Sequence, residues 1–420
     1  MTNSPPEAAL HIVVLSCTSE RDGVAEYTRQ LFRKQFYQSV RASITIVGIS
    51  PWHMLTAPFR HAQVIHIQHE FFTFDRFAGV TAPVYYIWLW FWSRWLHYRI
   101  VSTIHSAYDV RHLDCSLPHL KRFAALFPLL SLYLRLHLWL VVACSDRVIL
   151  LTRAGLQNLA SAIPADVMQC KARHIHLGNY ESHIRMQPHG LLRTRIGLAA
   201  NENLFTLFGF AFPPKGYEFA IQAVNVLVNR WGRTDIRLVI VSGETHKGGL
   251  GMSYIDYLKQ LATKYQVSSH VVFTGYLAND DPLLEDIFHG TFCFLFPYKN
   301  RPFASAALAT TLTTYKPILV SDIPCFHEYD GLLTFPEADF LALARRMQDL
   351  IDDPNLARNA GIVSQDNATR FNMKNVFDQH MTLYREVAGL QPQSSIAGGV
   401  DSCVNPPPPT VTNDRPLSPK

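Results

Sequence analysis

The chain of 420 residues has no arrangement of cysteines suited to cross-linking or to zinc binding. Its seven cysteines are an odd number, spread from Cys17 to Cys403, and no two of them form a Cys-x-x-Cys pair. Disulfide-stapled secreted domains and zinc ribbons both need paired, closely spaced cysteines. Both classes are therefore excluded, and this cysteine usage is typical of a cytoplasmic protein.

Several other class-defining features are missing. Met1 to Leu10 has neither a charged start nor a long apolar stretch, so no secretory signal is expected. No unit of roughly 20–50 residues repeats, which argues against a solenoid. No acidic triad with metal-binding spacing stands out, and we expect no bound metal. The basic residues are scattered without a nucleic-acid-binding motif, so nucleic acid is not an expected partner.

The chain does have enough apolar sequence for two cores. Hydrophobic residues make up 48% of it, and apolar strand-like runs alternate with helical patterns through both halves. This alternation predicts an α/β protein with two doubly wound domains. Ser394 to Lys420, which contains four consecutive prolines from Pro406, reads as a disordered tail.

A candidate phosphate site follows one apolar run in the second half. LFTLFGF is short and apolar and ends at Pro-Pro-Lys-Gly, which predicts a buried parallel strand with Lys215 in the turn at its carboxyl end. Ligands bind at such strand ends in open α/β sheets. Ser305 starts a stretch with helical composition that runs to Thr314, followed by a strand from Pro317 to Ser321. Lys215 and this helix start are expected to converge on a diphosphate; alternatively, they are a solvated loop lysine and an ordinary N-cap.

These segments resemble the retaining group 1 glycosyltransferases with the GT-B fold. The C-terminal half carries FTLFGFAFPPKG, a second strand ending in Val241-Ser242-Gly243-Glu244, and PYKNRPFASAALATTLTTYKPILVSD from Pro297. The N-terminal half carries HIVVLSCTSERDGVAEYTRQL, VIHIQHEFFTF, STIHSAY, SDRVILLTRAGLQNL and HIHLGNYE in the family's order. The resemblance covers Ala9 to Val387.

The resemblance implies two Rossmann-like domains that face a central cleft. An acceptor-side domain would span residues 1–185 and a nucleotide-sugar-binding domain residues 186–372. A C-terminal helix, residues 373–388, would cross back onto the first domain, and residues 389–420 would form the proline-rich tail.

The implied reaction moves a sugar from a nucleoside diphosphate sugar to an acceptor hydroxyl, with retention of configuration. The expected acceptor is a lipid-linked saccharide or another glycan precursor at the cytoplasmic face of a membrane, as in polysaccharide biosynthesis. No cofactor is expected beyond the donor substrate. The alternative is a catalytically inactive partner or scaffold protein that has kept the fold.

The resemblance also implies roles for individual residues. His105 and Glu70 are the candidate catalytic residues. Candidate donor-binding residues are Gly23, Lys215, Glu244, Tyr298, Ser305, Ala306 and Ala307. The two glutamates that the family usually carries beside the donor sugar are absent, because their places hold Pro302 and Thr310. The arginine that usually precedes the lysine has no counterpart either, so one cation for the diphosphate is lost.

Residues 83–100 are unusually aromatic. Trp88, Trp92 and Trp95 fall on one face of a predicted helix, and basic side chains follow. The apolar core of this stretch, about 12 residues, is shorter than the ~20 needed to span a bilayer. Either the helix packs against the sheet as core, or it lies in the headgroup region of a membrane.

The charge distribution favours an anionic surface as a partner of the first half. Residues 1–200 carry 20 Lys and Arg against 11 Asp and Glu, whereas the remainder carries 18 against 22. Anionic phospholipid or a pyrophosphate-linked lipid acceptor would fit that excess.

Overall fold

The computed structural model describes residues 10–17, 23–37, 40, 42–49, 59, 61–70, 82–110, 126–180, 188–243, 253–299 and 303–390. These residues form two parallel six-stranded sheets with helices on both faces, as the alternating sequence pattern predicted. The proline-rich tail predicted for residues 389–420 lies outside the described residues beyond Leu390.

The first sheet has the strand order β2-β1-β3-β4-β5-β6. Its strands are β1 (Leu10–Ser16), β2 (Ala42–Gly48), β3 (Val64–His69), β4 (Arg99–Ile104), β5 (Arg147–Leu150) and β6 (Ala172–His174). Its helices are α1 (Gly23–Leu31), α2 (Lys34–Tyr37), α3 (Ala82–Leu96), α4 (Phe127–Cys144), α5 (Arg153–Ala160) and α6 (Ala165–Lys171). Every residue of β3 is buried, as expected for a central parallel strand covered on both faces.

The second sheet has the strand order β12-β11-β10-β7-β8-β9. Its strands are β7 (Asn203–Phe208), β8 (Ile236–Val241), β9 (Val271–Gly275), β10 (Cys293–Phe296), β11 (Ile318–Ser321) and β12 (Leu333–Phe335). Its helices are α7 (Tyr217–Asn225), α8 (Tyr254–Lys264), α9 (Pro282–Gly290), α10 (Ala306–Leu312), α11 (Phe340–Asp352) and α12 (Pro354–Arg370).

The last helix, α13 (Met373–Val387), returns to the first sheet. Asn372 caps its start by accepting a hydrogen bond from the Lys374 amide at 2.8 Å. Its buried face includes Phe377 and Tyr384 and packs with α1 and strands of the first sheet in one core cluster. Thus the chain crosses between the domains twice, and α13 lies beside the strands that carry the candidate cleft histidine.

One helix ends earlier than the sequence pattern predicted. The stretch after Ser305 is helical only to Leu312, not to Thr314. The hydroxyls of Thr313 and Thr314 donate to carbonyls three residues back, at 2.7 Å each, and Tyr315 has a φ of 57°. Side-chain hydrogen bonds to the backbone followed by a left-handed residue end a helix.

Candidate active site

A cleft of about 670 Å³ separates the two domains. Residues at the carboxyl ends of parallel strands in both sheets border it, which is where open α/β sheets bind ligands. Seven of the residues proposed from the sequence line it: Gly23, Glu70, His105, Lys215, Ser305, Ala306 and Ala307. The eighth, Tyr298, is fully buried behind Lys215. Glu244, the ninth, lies outside the described residues.

Lys215 is a buried cation at the cleft. It ends the short turn Pro213–Lys215 that follows β7, and only 6% of it is exposed. The Lys299 amide donates to the Pro214 carbonyl at 2.9 Å and so joins this turn to the segment after β10. That connection brings Tyr298 to Lys215, whose Nζ donates to the tyrosine hydroxyl and lies 4.1 Å from the ring centroid. The ammonium group is therefore fixed in place before any ligand binds.

The same tyrosine connects Lys215 to the start of α10. Its hydroxyl lies 3.0 Å from Ser305 Oγ, which accepts the Leu308 amide at 3.3 Å as the helix N-cap. Gly209 makes the approach of these elements feasible. A Cβ added at Gly209 would lie 3.0 Å from the Ala307 side chain and 3.8 Å from Lys215 Nζ. The backbone φ of Gly209 is 109°, a conformation that favours glycine.

His105 lies across the cleft, directly after β4. It is half-buried, and its Nε2 lies 2.7 Å from the amide oxygen of Gln68. The edge of the Tyr27 ring packs against it with 5.2 Å between centroids. Burial raises the pKa of Tyr27, so this neighbour is neutral at physiological pH.

Glu70 is held beside His105, and it is one of few carboxylates at the cleft. The Ser106 hydroxyl donates to its Oε2 at 2.5 Å. Thr310 lines the cleft as well, but its hydroxyl donates to the Ala306 carbonyl at 2.9 Å within α10. Pro302, the other residue found in place of a family glutamate, lies outside the described residues.

Gly23 begins α1 at the edge of the cleft and has nothing within 4 Å of where a Cβ would stand. A close backbone approach within the protein therefore does not require glycine here. Asp22, on the predicted loop, lies outside the described residues.

Three features of the cleft were not anticipated from the sequence. The rings of Phe210 and Tyr276 are nearly parallel, 11° apart with 6.2 Å between centroids, and both line the cleft. Gly209 allows α10 and the lysine to approach the end of β7. Gln68 contacts the candidate histidine from a fully buried position. Only Gly209 carried a recognisable signal, a glycine directly after an apolar strand.

Comparison with known proteins agrees with this arrangement. Residues 191–365 match the family of group 1 glycosyl transferases. Sucrose-phosphate synthase from Thermosynechococcus elongatus has 16% identity and a TM-score of 0.63, over 90% of this chain and 99% of that one. HepE from Anabaena, solved in complex with UDP, has 14% identity and a TM-score of 0.64, over 90% and 100%.

A third similar structure comes from Escherichia coli and is described as trehalose-6-phosphate bound with UDP-2-fluoro glucose. It has 11% identity and a TM-score of 0.63, over 91% of this chain and 100% of that one. At these identities, the structures show a shared two-domain fold. No curated protein matches the chain by sequence comparison.

Proposed function

We propose that this chain, whose residues 191–365 match the group 1 glycosyl transferases and which has the GT-B fold, transfers a sugar from a nucleoside diphosphate sugar to an acceptor hydroxyl with retention of configuration. The observation that carries the proposal is Lys215, a buried ammonium fixed at the cleft by the Tyr298 hydroxyl. A buried cation facing a ligand cleft suits a diphosphate, because both charges are withdrawn from competing water there.

The barrier of this reaction lies mainly in breaking the bond from the sugar to its diphosphate leaving group. Negative charge grows on the leaving phosphate as that bond breaks, and a preorganised cation stabilises it most in the transition state. Lys215 is our candidate for this role, with the segment Ser305 to Ala307 beside it. His105 and Glu70, on the opposite wall, would contact the sugar. No cofactor or resident metal takes part in the proposed reaction.

The nucleotide base would lie at the second-domain wall that holds Phe210 and Tyr276. Aromatic faces at a ligand cleft offer stacking surfaces for a flat ring. UDP, present with HepE, and UDP-2-fluoro glucose, bound in the Escherichia coli structure, make uridine nucleotides the first donors to test.

The competing proposal is a non-catalytic partner protein. It is favoured by Thr310, which stands where the family usually carries a carboxylate and directs its hydroxyl to its own helix. Such a protein would bind nucleotide and turn over no donor.

Donor turnover distinguishes the two proposals. The purified chain is incubated with UDP-, GDP- and dTDP-sugars and a membrane-lipid extract, and release of nucleoside diphosphate is measured. We expect release with one donor class only, and NMR of the product should show the donor's anomeric configuration. If no donor in the panel releases nucleoside diphosphate although the circular-dichroism spectrum shows folded protein, the non-catalytic partner protein is favoured.

We place this reaction at the cytoplasmic surface of a membrane, with a lipid-linked saccharide or related glycan precursor as acceptor. The supporting observation is an exposed apolar face on α3 and α4, which pack side by side on the first sheet. We define this apolar face by its exposed side chains: Val84, Ile87, Trp88, Trp90, Phe91, Trp95, Leu126, Leu129, Leu132, Leu136 and Trp139. An exposed apolar surface formed by neighbouring helices marks an interaction site.

Each helix also has a buried face, so the interpretation as core is correct for that face, and the membrane proposal concerns only the exposed one. Tyr86 and Leu89 of α3 and Leu138 of α4 lie in the core of the first domain. Trp95 is 68% exposed and Trp88 42%, whereas Trp92 is half-buried against the core. By length and composition α4 could cross a membrane, but a third of it is buried, and it packs as a layer on the sheet.

Charge complementarity supports an anionic bilayer as the occupant of the apolar face. Neither α3 nor α4 contains Asp or Glu. Arg94 and Arg135 are exposed on these helices, and the Arg94 guanidinium lies 5.0 Å from the Trp90 ring centroid. Tryptophan with neighbouring arginine favours the headgroup region of anionic membranes. On its buried side, α4 also contacts the strand that ends at the cleft: His137 lies 3.3 Å from His69, which directly precedes Glu70.

Replacing three side chains of the apolar face should release the protein from anionic vesicles. For Trp95→Ser with Leu129→Ser and Leu132→Ser, we expect partitioning to fall by at least roughly 100-fold, since each apolar side chain contributes about 1.5–3 kcal/mol when it is fully withdrawn from water. The measurement is flotation with phosphatidylcholine vesicles, with and without phosphatidylglycerol.

The matched control replaces exposed apolar residues of the second domain, Trp231→Ser with Leu341→Ser and Ile362→Ser. It should float like the unmodified protein. If the unmodified chain stays in the soluble fraction equally with both vesicle types, the membrane proposal is wrong.

A further inference from the structure

A row of buried polar side chains connects the cleft to the C-terminal helix. His105 Nε2 lies 2.7 Å from Gln68 Oε1, and Gln68 Nε2 lies 3.5 Å from His66 Nε2. On its other side, His66 Nδ1 lies 2.6 Å from the hydroxyl of Tyr384 in α13. Gln68, His66 and Tyr384 are each at most 1% exposed, so water does not compete for these contacts.

The amide of Gln68 gives this row a direction. Its oxygen can only accept, so Nε2 of His105 carries a proton. Its nitrogen can only donate, so His66 Nε2 is an acceptor there, and the Thr103 hydroxyl at 2.8 Å is a second donor to it. Burial lowers the pKa of His66 well below its usual value, so the ring is neutral and its single proton is on Nδ1. From there it donates to Tyr384.

A second contact from α13 supports the same side of the cleft. The Val376 carbonyl accepts from His380 Nδ1 at 2.8 Å, which leaves His380 Nε2 as an acceptor 3.5 Å from the Tyr27 hydroxyl. Tyr27 packs its ring edge against His105. His380 of α13 therefore reaches a residue that touches the cleft histidine, whereas Tyr384 is connected to that histidine through His66 and Gln68.

We propose that Gln68 is a positioning residue that holds His105, which lines the cleft, as the Nε2–H tautomer. Tyr384 can accept from His66 Nδ1, which supports the orientation in which the Gln68 amide nitrogen faces His66. The identity of the ligand rests on the proposed function, whereas the tautomer does not. A ring with the opposite tautomer would present a donor in place of an acceptor, so the chemistry of the cleft depends on a helix more than 250 residues away in sequence.

The tautomer of His105 can be measured without any substrate. In two-bond proton–nitrogen NMR spectra of the full chain with ¹⁵N-labelled histidine, His105 should show the Nε2–H pattern, with its signals assigned by their loss in His105→Asn. Gln68→Leu should give a mixture of tautomers. Gln68→Glu keeps an oxygen acceptor and should retain the proton on Nε2. An Nδ1–H ring in the unmodified protein, or a ring unchanged by Gln68→Leu, would overturn the proposal.

Turnover provides the second readout. Gln68→Leu should lower kcat for nucleoside diphosphate release by about tenfold with a smaller change in KM, because one oriented hydrogen bond is lost in the transition state. Gln222→Leu, in the second domain, is the matched control and should leave both the rate and the His105 spectrum unchanged. If Gln68→Leu does not fold, Tyr384→Phe interrupts the same row while keeping the ring, and should also mix the tautomers.

The two proposals fail in different ways. A chain that turns over no donor but shows the Nε2–H ring, and its loss in Gln68→Leu, would overturn the proposed function and keep the role of Gln68. Donor turnover by a chain whose His105 ring carries its proton on Nδ1 would keep the proposed function and overturn the role of Gln68.

Discussion

Lys215→Met is expected to lower the rate of nucleoside diphosphate release by roughly 100- to 1,000-fold, the effect typical of removing one preorganised group that stabilises developing negative charge. Methionine keeps most of the length of the lysine stem and removes the ammonium group. The Tyr298 hydroxyl would retain Ser305 Oγ at 3.0 Å as a partner, so the fold around the site should survive. The loss should appear in kcat as well as in kcat/KM, because the charge on the leaving phosphate is largest in the transition state.

The measurement is steady-state release with the donor found in the panel, and a thermal-unfolding curve for each variant. Lys264→Met, on the exposed surface of α8, is the matched control and should keep the full rate. Tyr298→Phe, which removes only the hydroxyl that holds Lys215, should have an intermediate effect of about tenfold. A Lys215→Met protein that retains more than half of the rate would exclude Lys215 as the diphosphate cation.

The position of Lys215 was predictable from the sequence because it depends on a local pattern. A short apolar run that ends at Pro-Pro-Lys-Gly had to be a buried strand followed by a turn, and β7 with the turn Pro213–Lys215 confirms this. The same reasoning found Ser305, whose side chain caps α10. The family resemblance likewise implied a C-terminal helix over residues 373–388, where α13 lies.

Partners that come from distant parts of the chain were not predictable in the same way. Tyr298 reaches Lys215 from 83 positions away, and His66 reaches Tyr384 from 318 positions away. Such contacts depend on the order and register of the strands, whereas periodicity in the sequence indicates only which face of an element is buried. Gln68 therefore read as an ordinary residue within an apolar strand until the structure placed its amide against His105.

The exposed apolar face was also only partly predictable from the sequence. The tryptophan spacing in residues 83–100 predicted a helix with an aromatic stripe, but it did not show that α4 continues that surface. Leucines are distributed around most of α4, and a helix that is apolar on every side is typically buried or spans a membrane. Only the packing of α4 on the sheet shows which leucines are left exposed.

Gly216→Ala is expected to destabilise the second domain by about 2–5 kcal/mol. Gly216 follows Lys215 and has a φ of 62°, and an added Cβ would lie 1.9 Å from the Pro297 carbonyl oxygen. The left-handed conformation costs a residue with a Cβ roughly 1–2 kcal/mol. Overpacking adds about 1–3 kcal/mol more, because the carbonyl oxygen belongs to backbone next to Tyr298 and cannot simply rotate away. The change should also displace Lys215 and lower the affinity for UDP.

Gly232→Ala separates these two costs. Gly232 has a φ of 71°, but nothing lies within 4 Å of where its Cβ would stand. Alanine there should lose only the conformational part, about 1–2 kcal/mol, and UDP affinity should be unchanged. Thermal unfolding should therefore show the larger decrease in Tm for Gly216→Ala, by roughly 5 °C beyond the control for a domain of this size. Equal shifts in the two variants would mean that the turn carrying Lys215 can move away from Pro297, and the lysine would then not be rigidly placed at the cleft.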